Sequence, residues 1–112
     1  HHTSIKQNVI EIDMGEIDFP EIILESSYQK LYLSFYIKKL YEINLEDEYD
    51  NYFKLYCTDG YEIEVLQIFT KEILDLILKS NNKFSIEFYK NKIYGRGGSI
   101  TWYLTVVFLR HF

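Results

Sequence analysis

Apolar residues change period twice between Tyr52 and Tyr89. Phe53, Leu55 and Cys57 alternate with Lys54 and Tyr56. After Asp59-Gly60, Tyr61, Ile63 and Val65 alternate with Glu62 and Glu64. Period two is the mark of a strand with one buried face. A two-residue turn would set Leu55 opposite Glu64. A three-residue turn, Thr58-Asp59-Gly60, instead gathers Phe53, Leu55, Cys57, Tyr61, Ile63 and Val65 on one face. The pattern therefore predicts a hairpin with Gly60 as a left-handed bulge. Ile73, Leu76, Ile77 and Ser80 then recur at helical spacing, with Leu74 and Leu78 on the flank. Thr70 is the expected N-cap, Phe69 can staple onto Leu74, and Asn81-Asn82 can close the helix. Lys71, Asp75 and Lys79 form its polar stripe. The apolar arc exceeds half the circumference, so this helix is expected to be covered on more than one side. Phe84, Ile86 and Phe88 return to period two as a half-buried strand.

The flanking sequence reads as strand and turn. Residues 6–14 alternate as one strand, and residues 15–20 turn before Pro20. Residues 21–25 form a short strand with acidic ends. Residues 28–43 are ambiguous, but their apolar positions fit period two and scatter around a helix. A long strand is expected there. Residues 44–51 (NLEDEYDN) read as a loop, residues 91–99 as a glycine-rich loop, and residues 100–108 as a last strand. Together these features predict an α+β fold: a curved, mostly antiparallel sheet of six to seven strands with one helix, at about 70–80, packed on it. The expected order is five strands, the helix, then two strands.

Composition agrees with a sheet-rich domain. The chain has 112 residues, 47% of them hydrophobic, with eleven Tyr, eight Phe and no Ala. This length can bury a core without disulfides, and such a composition is not that of a disordered chain. Residues 1–4 read as a tag remnant and residues 5–112 as one domain. Cys57, the single cysteine, excludes an intramolecular disulfide and reads as a buried thiol. With no apolar run of membrane-spanning length, a cytoplasmic protein is expected.

Charge is unevenly placed. Residues 1–50 hold eleven acids and four lysines, a net of −7. Residues 51–112 hold six acids and eight bases, a net of +2. An acidic half disfavours direct nucleic-acid binding and favours a basic protein partner. Glu42, Glu46, Asp47, Glu48 and Asp50, with Tyr32, Tyr36, Tyr49 and Tyr52, are the candidate partner-binding residues. Carboxylates meet Lys and Arg, and tyrosines supply amphipathic contact area. Arg96, in a cationic glycine-rich stretch with Lys90 and Lys92, is a candidate anion contact. The stretch lacks the spacing of a phosphate-binding loop, and the acidic segment lacks that of a calcium loop. No metal or cofactor is therefore expected. No nucleophile–base pair announces an enzyme.

The leading expectation is a small acidic inhibitor, monomeric or homodimeric, that blocks a basic partner such as a nuclease toxin, as an immunity or viral anti-defence protein would. The alternative is a small-molecule-binding domain with an aromatic pocket between helix and sheet and Arg96 at its mouth.

Overall fold

The computed structural model describes residues 2–6, 9–26, 40–80 and 85–96. In chain order the elements are β1 (His2–Lys6), β2 (Val9–Asp13), β3 (Phe19–Ser26), β4 (Tyr41–Ile43), α1 (Asp47–Asp50), β5 (Phe53–Cys57), α2 (Glu62–Ile68), α3 (Lys71–Ser80), β6 (Ser85–Lys90) and β7 (Lys92–Arg96). The strands form one open sheet in the order β1-β2-β7-β6-β3-β5-β4, and all neighbours are antiparallel. The fold class is α+β with an antiparallel sheet, as the sequence predicts, although three helices rather than one accompany it among the described residues.

The first helical departure lies in the hairpin. β5 turns its expected residues inward, with Phe53, Leu55 and Cys57 fully buried. The turn is also present: the Tyr61 N–H donates to the Thr58 carbonyl at 3.2 Å, and Gly60 has φ +94. The chain does not return as a strand, however. Residues 62–68 form α2, which buries Val65 and leaves Tyr61 and Ile63 exposed. The reason is nonlocal. β5 lies between β3 and β4, with Leu55 opposite Leu24 on one side and Ile43 on the other. Both its edges are occupied, so a local partner strand has nowhere to pair. Val65 and Phe69, four residues apart, then fall on one helical face.

α3 matches its expected span. Thr70 caps it, with Oγ1 accepting the Ile73 N–H at 3.3 Å, and Ile73, Leu74 and Ile77 face the core.

Further expectations are corrected. The acidic 44–51 segment is not a loop throughout, because residues 47–50 make the single turn of α1. The glycine-rich stretch begins as strand β7, paired with both β2 and β6. A hairpin turn at Lys90-Asn91, with Lys90 at φ 56, precedes it. Of the 6–14 strand, residues 9–13 form β2, and Lys6 ends β1, which pairs antiparallel with it. Residues 19 and 20 already belong to β3. The tag-like residues 2–4 lie within β1. Of the 28–43 strand, only residues 40–43 lie among the described residues, and 41–43 of them form β4. The 100–108 strand and the Asn81-Asn82 cap lie outside them.

The core fills the space between the helices and one face of the sheet. Phe53, Phe69, Phe88, Ile22, Leu24, Leu55, Ile77, Ile86 and Ile93 are essentially inaccessible. Phe88 is the hub, meeting Phe19 edge-on at 5.0 Å and Phe69 at 6.0 Å. Each such burial stabilises the fold by roughly 1.5–3 kcal/mol. β6 is not half-buried as its alternation suggests, because Ser85 and Glu87 on the other face are also buried.

Candidate functional site

The acidic segment is held by its one inward residue. Glu46 has an extended backbone and precedes α1, and its carbonyl accepts the Tyr49 and Asp50 N–H groups, each at 2.9 Å. Asp47, Glu48 and Asp50 lie in this first turn, where carboxylates favour the exposed N–H groups. Tyr49 points the other way. It is buried, and its hydroxyl donates to Asp75 Oδ1 of α3 at 2.5 Å. Burial, that bond and the neighbouring Glu48 carboxylate all push the phenol's pKa well above its ordinary value. Tyr49 therefore anchors the segment. Tyr52 packs half-buried against the same core.

The carboxylates around it stay outside. Glu42, Glu46, Asp47 and Glu48 are exposed. Asp50 accepts a 2.9 Å bond from Lys54, which raises the lysine's pKa. Lys71 reaches back from α3 to Glu48 at 3.6 Å and Glu46 at 4.0 Å. Tyr32 and Tyr36 lie outside the described residues.

Between this segment and the helices runs an open groove of about 220 Å³. Leu45, Leu66, Phe69 and Leu74 give it apolar walls, and Glu46 and Lys71 are charged residues of its lining. Leu66 is 45% exposed, and Ile63, one turn earlier on α2, is 72% exposed. Of the residues lining this groove, sequence reasoning singles out Glu46 and Tyr49 but not Leu45, Leu66 or Lys71. The signal for Leu66 was hidden by the strand reading of residues 61–67. A helical reading sets Ile63 and Leu66 apart from the buried Val65 and Phe69.

Arg96 is remote from this groove. It ends β7, opposite Ser85 and Val9, on the sheet face away from the helices. That face carries one lateral row across six strands: Glu42, Tyr56, Ile23, Glu87, Tyr94 and Glu11. Glu87 at its centre is 4% exposed, and its Oε2 has no hydrogen-bond partner among the described residues. Burial, and then the Glu21 carboxylate, raise its pKa to about 7. Tyr94 and Tyr56 are shifted upward as well, first by burial. Cys57 lies inside the other face, between Ile22 and Tyr41 rather than beside Tyr61. Burial raises its thiol to about 11, so it remains protonated and unreactive near neutral pH.

Among the described residues, no three His, Cys, Asp or Glu side chains converge to hold a metal ion. No helix among them is long and apolar enough to cross a membrane. No family model, curated protein or solved structure matches the chain.

Proposed function

We propose that this chain is a small acidic binding protein that occludes a basic partner, such as a nuclease or another nucleic-acid-handling enzyme, in the manner of an immunity or viral anti-defence protein. The observation that carries this reading is the surface around α1. Exposed Glu46, Asp47 and Glu48 stand beside a groove with apolar walls, and a buried tyrosine fixes them in place. Carboxylates so placed compete with substrate phosphates for a partner's Lys and Arg side chains. Charge complementarity speeds the encounter, and burial of apolar contacts slows release.

The test is capture from a lysate of the source organism at about 50 mM and about 500 mM salt, because screening weakens exposed pairs. A basic protein held at low salt and lost after reversal of Glu46, Asp47 and Glu48 to lysine supports the reading. Capture that ignores the reversal refutes it. The small-molecule alternative has less support. The helix–sheet space is filled by Phe53, Phe69 and Phe88, Arg96 lies on the opposite face, and the groove is below the roughly 300 Å³ of a typical small-molecule pocket.

A further inference from the structure

We infer that the groove between residues 44–49 and the two helices receives an apolar anchor from a basic amphipathic helix of the partner, with Lys71 standing in for the partner's cation until it docks. This inference rests on the binding-protein reading and specifies what that surface takes.

Three observations converge on it. The first is unused apolar surface. α2 spends Val65 and Phe69 on the core, yet presents Ile63 and Leu66 to solvent three residues apart. Single exposed apolar residues need no explanation. Here, however, Leu66 is itself a lining residue of the groove, and exposed Ile63 stands one turn before it on α2. The second is size. About 220 Å³ suits one or two large side chains better than a drug-sized ligand. Apolar anchors at helical spacing laid into a groove are a recurrent mode of peptide recognition.

The third is charge. Glu46, Asp47 and Glu48 on one side and Glu64 on α2 are exposed. Glu62 is also kept ionised, its pKa lowered by backbone N–H groups including that of Gly60. Lys71 is the one cation among the groove-lining residues. It pairs with Glu46 and Glu48 only at 4.0 and 3.6 Å, with all three side chains more than half exposed. Such a pair contributes little and is readily exchanged. An incoming Lys or Arg can therefore take over both carboxylates at small cost, while acidic segments are repelled.

Three synthetic peptides of about 18 residues test the inference, since that length gives about five helical turns. One places Leu at helical spacing among lysines. A second replaces its leucines with serine at the same charge. The third replaces its lysines with glutamate. Fluorescence titration at low salt is expected to show the Leu/Lys peptide binding about tenfold or more tightly than the Ser/Lys peptide. The Glu peptide should not bind. Leu66→Ser and Ile63→Ser, both at exposed positions, should each weaken the Leu/Lys peptide about tenfold, and Lys71→Gln should tighten it about two- to fivefold. Amide shifts should move at Leu45, Leu66 and Leu74. Equal binding of the Leu/Lys and Ser/Lys peptides, or indifference to Leu66→Ser and Ile63→Ser, overturns the anchor but leaves the electrostatic reading standing. Unchanged affinity in Lys71→Gln overturns the stand-in role. Failure of both cationic peptides to bind overturns the anchor together with the reading beneath it.

Discussion

The Tyr49 hydroxyl donates a 2.5 Å hydrogen bond to Asp75 Oδ1, joining the acidic turn α1 to the middle of α3 across 26 residues of sequence. The ring of Tyr49 is buried while the carboxylates on either side of it stay in solvent. One inward tyrosine thus lets a strongly acidic segment keep a fixed geometry. Tyr49→Phe retains the ring and removes the bond, leaving Asp75 without that donor. The variant is expected to melt several degrees lower, followed by circular dichroism, and to lose protection from amide exchange at residues 47–50 before the strands do. An unchanged melting temperature and exchange pattern would show that the bond does not hold the segment.

Glu87 links stability to pH. Its folded-state pKa, at about 7, lies above the ordinary 4.5. The folded protein therefore holds this proton more tightly than the unfolded chain does. The stabilising contribution of the protonated carboxyl is complete below about pH 4.5 and is lost as pH rises through about 7. The slope is at most about 1.4 kcal/mol per pH unit. Glu87→Gln keeps a neutral side chain of the same shape. Urea unfolding at pH 5 and pH 8 should show the wild type weaker at pH 8 and the variant flatter between the two, more stable than wild type at pH 8.

Gly60 tests the turn between β5 and α2. Its φ of +94 is unfavourable for any residue with a Cβ, but a Cβ added there meets nothing within 4 Å. Gly60→Ala should therefore cost only the backbone term, about 1–2 kcal/mol, and Gly60→Asn less. A larger loss in chemical denaturation would indicate a steric role that the open surroundings do not provide.

Leu55 tests the core that carries the site. It is fully buried and pairs with Leu24 on β3 and Ile43 on β4. Leu55→Ala should cost about 2–5 kcal/mol by the same denaturation measurement. A cost below 1 kcal/mol would mean that β5 is not the central member of this end of the sheet.

What could be read from the chain depended on whether local pattern or distant pairing decided the outcome. The inward set Phe53, Leu55 and Cys57, the left-handed Gly60 and the Thr70-capped helix follow from spacing and turn chemistry alone, and the structure contains them. Residues 61–67 read as a strand because Tyr61, Ile63 and Val65 satisfy period two, yet residues 62–68 form α2. What excludes the strand is the occupation of both β5 edges by β3 and β4, which no local pattern announces. The same holds for β7. Gly95 and Arg96 look like loop residues until β2 and β6 flank them. The acidic residues of the candidate site could be named from composition. Their apolar partners Leu45 and Leu66 could not, since only the tertiary fold brings residues 44–49, α2 and α3 around one groove.

The most direct test of the binding-protein reading is the affinity of the captured basic partner for the wild-type chain and for the Glu46→Lys, Asp47→Lys, Glu48→Lys variant, measured by surface plasmon resonance at about 50 mM and about 500 mM salt. Exposed, screenable pairs require that the wild type bind more tightly at low salt, with the gain concentrated in the association rate. The triple variant should lose about ten- to a hundredfold in affinity at low salt, given roughly 0.5–1 kcal/mol for each of three exposed charge pairs, while melting within a few degrees of wild type. Equal affinity of a folded triple variant, or an association rate indifferent to salt, would contradict the proposal that this acidic surface is where the protein works.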